Sequence, residues 1–452
     1  MQTSKRIIVV GGNAAGPSAA AKAKRTNPSA DVILIEAGEF ISTGTCELPY
    51  LLSGQLNDHN KLIFYSPEKF CEEKNVKVFI NHFVKKIDAK NKSLEIFDKK
   101  NDKSHHLIYD KLILTTGSIA KELPELSFTL ENVFSYKTIS DYLKLKSYFE
   151  RNKVEKILII GSGYIGLEVA ESLKSKGYEI TVLEKEKLPL PNSEIELQYL
   201  VKDLLSKNKI NFLSVDNDTK FIKNGNKFIQ LKNEGRFLDF DAAIVSIGIK
   251  PNNFLAESAK LKIGKFGGLI VDTKLKTSDQ NIFAAGDNIE FINKITNRND
   301  YFPQATFAHQ FGHIAGENAA GGNKFAEPVF LNSTFKFFDK YIAQVGLNSG
   351  HASQFFNKVK FVNAVANNKV KIMPGSSKVF GKIIYDGTSR LILGASFVGS
   401  EEISGYADLI STYIYNKISA NNLAKNYYNY TPPLSPFINL LSIIGRKLEE
   451  NY

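Results

Sequence analysis

Sulfur-containing residues and tryptophan are scarce in this sequence: its 452 residues include two cysteines, two methionines and no tryptophan. Two cysteines exclude a scaffold held together by several disulfides. Long apolar runs are missing as well, because no stretch approaches the ~20 apolar residues that a membrane-spanning helix needs. The chain begins MQTSKR and passes at once into IIVV, without the apolar region and cleavage site of a secretory signal. We therefore expect a cytoplasmic protein that does not insert into a membrane.

Clusters of metal ligands and of basic residues are missing too. The seven histidines show no metal-binding spacing with cysteine or acidic residues, so we expect no metal site. The formal net charge of +11 attracts anions. The lysines are nevertheless scattered, and no nucleic-acid-binding motif occurs. We interpret the charge as a general basic character or as attraction for an anionic ligand, and we expect no nucleic-acid partner.

A strand, a glycine-rich turn, a helix and a second strand follow one another at the N-terminus, and the same order returns in residues 155–184. The runs RIIVV and DVILIE flank the first turn. Short β-branched runs predict strands, and the alanine-rich segment AAGPSAAAKAKR predicts a helix. This duplicated βαβ pattern predicts an α/β protein with two Rossmann-like dinucleotide-binding domains.

The first turn carries most of the glycines that a dinucleotide-binding loop requires. Gly11, Gly12 and Gly16 are present, and Asn13 occupies the usual middle glycine position. Glu36 follows 20 residues after Gly16. In such loops glycine permits a tight turn and close approach of the backbone to a pyrophosphate, the helix N-terminus meets the phosphates, and the acidic residue accepts a ribose hydroxyl.

The second turn fits the same pattern fully. Its residues are Gly161, Gly163 and Gly166, followed by Glu184. Two plain strand-to-helix turns would not account for an acidic residue after each second strand. Glu184 favours NADH, because a carboxylate repels the 2′-phosphate of NADPH. Lys185 and Lys187 keep NADPH open, since either ammonium group could accept that phosphate.

The remaining segments indicate how the chain is divided. Residues 75–118 alternate as short strands and end in YDKLILTTG, and AAIVSIGIKPN and NIFAAGDN each close a strand with glycine or proline. From about residue 327 the pattern changes to antiparallel strands followed by the helical segment ADLISTYIYNK. We predict a first dinucleotide-binding domain from residues 1–118 and 250–326, a second from residues 119–249, and a C-terminal α+β domain from residues 327–452.

The order of these motifs carries a family resemblance that spans nearly the whole chain. GGNAAG, a cysteine loop, YDKLILTTG, GSGYIGLEVAE, SIGIKPN and NIFAAGDN resemble the flavoprotein pyridine nucleotide-disulfide oxidoreductases. The resemblance implies that the first loop holds FAD, with Gly117 beside it and Asp287 on the ribityl chain. It also implies that the second loop holds NADH or NADPH, with Gly248 beside it, and that the C-terminal domain forms a homodimer.

The cysteine loop GTCELPY narrows the resemblance to one branch. Members similar to glutathione reductase carry C-x₄-C, but here Leu51 stands five residues after Cys46. A single cysteine resembles the coenzyme A-disulfide reductases and their NADH oxidase and peroxidase relatives. Those oxidases and peroxidases usually place a histidine at the position of Ala14, so the match favours the coenzyme A-disulfide reductase branch.

The resemblance implies that electrons pass from the nicotinamide through the flavin to Cys46, and then to a small disulfide or polysulfide. The reacting species is a thiolate, so Cys46 should have a lowered pKa or an activating neighbour. Its oxidised form would be a mixed disulfide or a sulfenic acid. The sulfenic acid corresponds to an NADH oxidase or peroxidase as the alternative function, and a low-turnover flavin redox sensor is a third. The structural alternative for Cys46 is a buried, inert thiol, and Cys71 is interpreted as structural rather than as a resolving cysteine.

Four further residues each have a functional and a structural interpretation. Tyr164 resembles the aromatic gate over the nicotinamide pocket, or it packs as a core aromatic. Lys22 and Arg25 match basic positions that bind coenzyme A, or they form a solvated helix face. Tyr430, in YTPP, resembles the C-terminal segment that reaches the partner's cysteine in the dimer, or it packs beside its neighbouring tyrosines.

Two segments depart from the coenzyme A-disulfide reductase pattern. AHQFGH resembles a family stretch ANRQGR, but His309 and His313 replace its asparagine and second arginine. IMPG resembles a YPG stretch, with Met373 where an active-site tyrosine is usual. These departures concern coenzyme A and leave the interpretation of flavin and cysteine unchanged.

Overall fold

The structure, a computed structural model, describes residues 5–450. The outermost predicted domain bounds include residues 1–4 and 451–452, which lie outside the described residues. Among the helices of the described part, none is both long and apolar enough to cross a membrane.

The N-terminal quarter of the chain alternates short strands with three helices. Its elements are β1 (Arg6–Val10), α1 (Ala15–Thr26), β2 (Asp31–Ile35), β3 (Ile41–Thr43), α2 (Leu48–Ser53), β4 (Ile63–Tyr65), α3 (Pro67–Lys74), β5 (Lys77–Phe79), β6 (His82–Asp88), β7 (Ser93–Asp98), β8 (Lys103–Ile108), β9 (Lys111–Leu114) and β10 (Ser118–Ala120). Single 3₁₀ turns at Thr45–Glu47 and His59–Leu62 precede α2 and β4.

The next part repeats the strand–helix–strand order. Its elements are β11 (Val133–Phe134), α4 (Ile139–Arg151), β12 (Lys156–Ile160), α5 (Tyr164–Ser175), β13 (Glu179–Glu184), α6 (Ile195–Lys207), β14 (Asn211–Ser214), β15 (Lys220–Asn224), β16 (Lys227–Asn233), β17 (Arg236–Asp239), β18 (Ala242–Val245) and β19 (Ile249–Pro251). The chain then returns to the first part through α7 (Phe254–Ser258), β20 (Ile282–Ala284), β21 (Phe291–Asn293), β22 (Arg298–Asp300) and α8 (Ala305–Ala319).

The C-terminal part is mostly antiparallel strand with helices at its end. Its elements are β23 (Asn332–Phe337), β24 (Lys340–Gly346), α9 (Ser349–Ala352), β25 (Val359–Asn367), β26 (Lys378–Asp386), β27 (Ile392–Gly399), α10 (Ile403–Tyr415), a 3₁₀ turn (Ala420–Ala424) and α11 (Leu440–Glu450).

Two parallel five-stranded sheets form the centres of the two βαβ units. The first sheet has the order β20-β9-β1-β2-β5 and the second has the order β11-β18-β12-β13-β14. Their central strands are continuous apolar runs because helices or loops cover both faces. In β1, for example, Ile7, Ile8 and Val9 are fully buried. The C-terminal sheet, β23-β24-β27-β26-β25, is antiparallel. The predicted class, two Rossmann-like units with a C-terminal α+β part, is confirmed.

The chain crosses between the two parallel sheets through one antiparallel pair. β10 runs outward and β19 runs back, with Ser118 opposite Pro251 and Ala120 opposite Ile249. The predicted domain bounds at residues 118 and 249 fall on these two strands. The second unit is therefore inserted into the first at a single place.

Helix α8 packs against α1 at very short range. A Cβ atom at Gly312 would lie 2.2 Å from the carbonyl oxygen of Ala15, and one at Gly316 would lie 2.1 Å from that of Ala19. Only glycine leaves enough room for this contact. Ser18 on α1 also donates a hydrogen bond of 2.8 Å to the carbonyl of His309 on α8. The contact brings the segment AHQFGH beside the first glycine loop.

Candidate active site

The loop between β1 and α1 has the geometry of a pyrophosphate cradle. Gly11 has φ +113°, and a Cβ there would lie 2.1 Å from the carbonyl oxygen of Thr115, so the position admits only glycine. Helix α1 begins without a side-chain cap and has no acidic residue in its first turn. By contrast, α4 is capped by Thr138 and Asp141 in a reciprocal capping box. The uncapped N–H groups of α1 fit the phosphates of a dinucleotide.

Glu36 lies at the end of β2 and keeps hydrogen-bonding capacity for a ligand. Its two carboxylate oxygens accept N–H groups of Gly12 and Gly38, each at 2.6 Å. One acceptor position stays open on each oxygen, which fits the hydroxyls of a ribose. Asn13, the departure from the glycine pattern, accepts the N–H of Thr43 at 3.1 Å and so ties this loop to the segment that precedes Cys46.

Asp287 and Gly117 lie at the carboxyl ends of β20 and β9, at the same edge of the first sheet as Gly11. The hydroxyl of Ser118 donates to the Asp287 carboxylate at 2.8 Å, and that of Tyr301 donates to the Asp287 carbonyl at 2.9 Å. A Cβ at Gly117 would meet nothing within 4 Å, so the space above it is open. In an open parallel sheet, ligands bind outside this edge.

Cys46 lies in the 3₁₀ turn Thr45–Glu47, is exposed, and forms no disulfide. Its thiol faces a cavity of about 530 Å³ between α1, α3 and α8. The residues that line this cavity and that figured in the sequence analysis are Asn13, Ala14, Arg25, Gly44, Cys46, His309 and His313. Cys46 thus borders the first glycine loop and is exposed rather than buried, while its reactivity stays a prediction.

The pKa of the Cys46 thiol is raised, mainly because the surrounding protein displaces water and then because of the nearby carboxylates of Glu47, Glu168 and Asp287. Lys137 opposes this effect only weakly. The described side chains of this chain therefore do not lower the pKa of the thiol, and the other half of the expectation, an activating neighbour, stays a prediction. Acidic groups, rather than cations, surround the sulfur.

Glu168 was missed by the sequence analysis, although it lies close to Cys46. Burial, and then the charge of Glu171, raise the pKa of the Glu168 carboxyl to about 7. It belongs to α5 of the second unit, which packs against the cysteine segment through a hydrogen bond of 2.9 Å from Ser172 to the carbonyl of Pro49. Glu168 lies one helical turn after Tyr164 in GSGYIGLE, and this spacing could have indicated that it is near the cavity. A glutamate on a helix is usually solvated, so the sequence alone did not single it out.

The second glycine loop borders a larger cavity of about 1040 Å³. The predicted residues that line it are Gly161, Gly163, Tyr164, Glu184 and Gly248, together with Lys185. Gly166 lies beneath the loop, where a Cβ would be 2.0 Å from the carbonyl oxygen of Gly161. Helix α5 also begins without a side-chain cap or an early acidic residue, so this loop fits a dinucleotide as well.

Tyr164 contacts both this cavity and the C-terminal sheet. Its ring packs against Phe335 with a centroid separation of 4.7 Å. Its hydroxyl donates a hydrogen bond to the side chain of Gln344. The residue therefore combines a place on the cavity wall with aromatic packing, the two interpretations that the sequence left open.

The two cations on α1 have different surroundings. Lys22 forms an ion pair of 2.8 Å with Glu317 on α8. Arg25 lines the Cys46 cavity and lies 3.1 Å from Nε2 of His313. Loss of solvation, then the charges of Lys22 and Arg25, lower the pKa of His313. A neutral His313 accepts the hydrogen bond from Arg25, so Arg25 keeps its full charge at the cavity wall.

Tyr430, Met373 and Cys71 are not among the residues that line the two cavities described above. Tyr430 is half exposed in the segment before α11, and its ring meets that of Phe437 edge-on at 5.4 Å. Met373 lies in the loop between β25 and β26. Cys71 is exposed on α3. Contact between Tyr430 and the Cys46 of a partner subunit stays a prediction.

Comparison with known proteins places the chain in a family. Residues 5–312 match the family described as pyridine nucleotide-disulphide oxidoreductase, and residues 332–440 match its dimerisation domain. The sequence is 30% identical over 431 residues to an NADH oxidase of Methanocaldococcus jannaschii, covering 95% of each chain. It is also 30% identical over 446 residues to a coenzyme A disulfide reductase of Staphylococcus aureus, covering 98% of this chain and 99% of the other.

A solved structure is similar over almost the whole length. The NAD-dependent persulfide reductase from A. fulgidus superposes with a TM-score of 0.93 at 29% identity, covering 99% of this chain and 83% of the other. The resemblance inferred from the motifs is confirmed. The chain belongs to the pyridine nucleotide-disulphide oxidoreductases, FAD-dependent enzymes that use NAD(P)H, and it carries their dimerisation domain.

Proposed function

We propose that this enzyme uses NAD(P)H to reduce a small disulfide or persulfide, with Cys46 as the sulfur that reacts with the substrate. The main support is the position of Cys46, exposed on the wall of a cavity that also borders the first glycine loop. Asp287, which the family resemblance assigns to the flavin, is close enough to raise the pKa of the thiol. Sulfur and flavin would therefore lie together.

The chemistry assigned to Cys46 is thiol–disulfide exchange. Its thiolate attacks one sulfur of the substrate, the substrate S–S bond breaks, and the departing thiolate takes up a proton. Cys46 is left in a mixed disulfide with the retained half. Bound FAD supplies the transfer of two electrons from NAD(P)H that cleaves this mixed disulfide. Leu51 is buried where related enzymes carry a second cysteine, so no internal disulfide forms there.

The proposal assigns each predicted residue a role. The FAD site contains Gly11, Gly12, Gly16, Glu36, Gly117 and Asp287, and the NAD(P)H site contains Gly161, Gly163, Tyr164, Gly166, Glu184 and Gly248. In a homodimer formed through the dimerisation domain, Tyr430 of one subunit would donate a hydrogen bond to the Cys46 sulfur of the other. Such a donor would stabilise a thiolate that the surrounding carboxylates disfavour.

The names of the relatives support a sulfur substrate. One relative is a coenzyme A disulfide reductase and one similar structure is a persulfide reductase. Arg25 at the cavity wall suits an anionic substrate such as coenzyme A. Lys22, already paired with Glu317, contributes less. The substrate class is therefore stated as small disulfides and persulfides, with coenzyme A disulfide as one member.

The test replaces Cys46 with serine in the holoenzyme. We expect anaerobic reduction of coenzyme A disulfide by NADH to fall by more than about 10³-fold, because the attacking sulfur is lost, while the flavin stays bound. Cys71→Ser is the matched control and should keep the wild-type rate, since Cys71 is exposed on α3. Undiminished reduction by the Cys46→Ser enzyme would disprove the role of Cys46.

The second candidate function is an NADH oxidase in which Cys46 cycles through a sulfenic acid. The NADH oxidase relative favours it. Ala14 stands at the position where the resemblance implies a histidine in oxidases and peroxidases, and the imidazoles that line the Cys46 cavity are those of His309 and His313. NADH consumption measured in air without a thiol acceptor, and then anaerobically with coenzyme A disulfide, separates the two. Fast turnover only in air would replace the reductase proposal with the oxidase.

A further inference from the structure

Two glutamates occupy equivalent positions in the two nucleotide-binding units, but their carboxylates have different surroundings. Glu36 follows β2, and Glu184 ends β13. Each Glu36 oxygen accepts one hydrogen bond, from Gly12 or from Gly38, and each keeps a second acceptor position. This spare capacity is what a ribose hydroxyl needs.

The carboxylate of Glu184 has no such capacity. One oxygen accepts both the N–H of Ser162 at 2.8 Å and its hydroxyl at 2.6 Å. The other accepts the N–H groups of Lys185 at 2.7 Å and Glu186 at 3.2 Å. All four acceptor positions of the carboxylate are filled, and the residue is only 7% exposed. Glu184 thus accepts two hydrogen bonds more than Glu36, and one of the additional donors is the Ser162 hydroxyl, which stands where the first loop has Gly12.

Two lysines lie on the wall of the same cavity. Lys185 directly follows Glu184, and Lys220 begins β15. The segment after β14 that leads to Lys220 runs beside Glu184, because Val215 donates its N–H to the Glu184 carbonyl at 2.7 Å. Both lysines are exposed, and within residues 5–450 neither takes part in an ion pair. Their charges are therefore available to a ligand.

The acidic groups that line this cavity are Glu125 and Glu184. Repulsion of a ligand phosphate by Glu184 is reduced, because four donors stabilise its charge and the side chain is turned into the protein. In a Rossmann unit the adenosine ribose binds at the end of this second strand, and a cation there accommodates a 2′-phosphate. The positive charges of Lys185 and Lys220 thus lie near the expected position of the 2′-phosphate, the group that NADPH has and NADH lacks.

We propose that Glu184 fixes the loop instead of binding the ribose, and that Lys185 and Lys220 bind a 2′-phosphate, so that the enzyme uses NADPH at least as well as NADH. The proposal deepens the proposed function and rests on its assignment of this cavity to NAD(P)H. It concerns only the nicotinamide cofactor and is independent of the substrate that reacts with Cys46.

The binding test compares 2′,5′-ADP with 5′-AMP, which differ only by the 2′-phosphate, on the holoenzyme by isothermal titration calorimetry. We expect 2′,5′-ADP to bind at least about tenfold more tightly, the effect of one charge-assisted contact. Lys185→Ala should reduce that difference, because only Lys220 remains for the 2′-phosphate, and should leave the affinity for 5′-AMP unchanged. Lys187→Ala is the matched control. Lys187 lies two residues after Lys185 and carries the same charge, but its exposed side chain is not part of the cavity wall. Equal affinities of the wild type for both ligands, or equal effects of the two variants, would overturn the proposal.

A second variant tests the role of Ser162. Ser162→Gly removes the hydroxyl donor and so frees one acceptor position of the Glu184 carboxylate, and it should strengthen the binding of 5′-AMP severalfold. Unchanged binding of 5′-AMP would refute the idea that the Ser162 hydroxyl fills an acceptor position that a ribose needs.

The kinetic test follows the flavin absorbance when wild-type holoenzyme is mixed anaerobically with NADPH or NADH, without a disulfide acceptor. We expect NADPH to reduce the flavin at least as fast as NADH. Reduction by NADH alone would reject the NADPH proposal and leave the sulfur chemistry of Cys46 standing. Flavin reduction by NADPH in an enzyme that does not reduce disulfides would support the NADPH proposal and reject the proposed sulfur chemistry of Cys46.

Discussion

Lost solvation, followed by the charges of nearby carboxylates, raises the pKa of the Cys46 thiol. Glu47, Glu168 and Asp287 each raise the pKa of the thiol, after the larger effect of lost solvation. Because the described side chains of this chain favour the neutral thiol, the thiolate must be stabilised by groups that bind to the chain. The positively charged end of a nicotinamide, a flavin and the hydroxyl of a partner's tyrosine are candidates in the proposed function.

Glu168 makes this effect dependent on pH. Its pKa is raised to about 7, so its carboxyl is neutral below that pH and negative above it. Glu168→Gln should therefore speed alkylation of Cys46 by iodoacetamide severalfold above pH 7, because a negative neighbour is removed, and should change little below pH 7. The rates are measured in a Cys71→Ser background.

The control for this experiment is Glu150→Gln, which neutralises an exposed carboxylate on α4. It should leave the alkylation profile unchanged. Identical profiles for the Glu168→Gln protein and the wild type at pH 8 and above would show that Glu168 does not influence the thiol.

Local spacing allowed the sequence to predict some of these residues and not others. Gly11 and Cys46 belong to the short motifs GGNAAG and GTCELPY, which are visible within a few residues of sequence. The partners of Cys46 come from distant elements, since Glu168 belongs to the second unit and Asp287 to the end of β20. The ion pair of Lys22 with Glu317 likewise joins two helices far apart in the sequence. Such neighbours become visible only when the sheets are assembled.

Among the secondary-structure elements, the repeated βαβ units were predicted most closely. RIIVV is β1, and DVILI within the predicted strand DVILIE is β2. The segment 335–347 showed strand composition throughout, but the structure divides it into the hairpin of β23 and β24. The reversal occurs at Phe338, which has φ +53°. Phenylalanine rarely adopts that conformation, so its identity gave no sign of a turn.

The packing of α1 on α8 leads to a stability prediction. Gly316→Ala should destabilise the protein by about 1–3 kcal/mol, because its Cβ would overlap the backbone of Ala19. Gly405→Ala, in α10, is the matched control: nothing lies within 4 Å of the added Cβ, and alanine should stabilise the helix by about 0.5–1 kcal/mol. The stability of both variants is measured as the temperature at which flavin fluorescence appears on heating, when the protein unfolds and releases the flavin. A Gly316→Ala enzyme as stable as the wild type would show that the two helices separate without cost.

For the whole molecule, the C-terminal part leaves apolar side chains uncovered. Ile372, Tyr427, Leu434 and Phe437 are each at least three-quarters exposed. They belong to residues 372–437, within the range that matches the dimerisation domain. Exposed apolar side chains in a dimerisation domain are typical of an interaction surface, and we expect a second copy of the chain to cover them.

Leu434→Asp should therefore produce a monomer, because a carboxylate would be buried in the interface without a partner. Light scattering after size exclusion measures the mass. In the proposed function the monomer also loses Tyr430 from the partner, so disulfide reduction should fall by at least about tenfold while NAD(P)H still reduces the flavin. Phe237→Asp, at an exposed phenylalanine of β17, is the control and should remain dimeric. A Leu434→Asp protein that remains dimeric would show that the dimer interface does not include Leu434.

The paired crossing of β10 and β19 affects how this architecture can vary. The chain leaves the first sheet and rejoins it at neighbouring strands, about 4.8 Å apart. A change of length between these strands leaves the alignment of β9 with β20 untouched. The second unit can therefore change in length away from α5, which packs on the Cys46 segment, and in the proposed function its preference between NADH and NADPH can diverge without moving the first glycine loop.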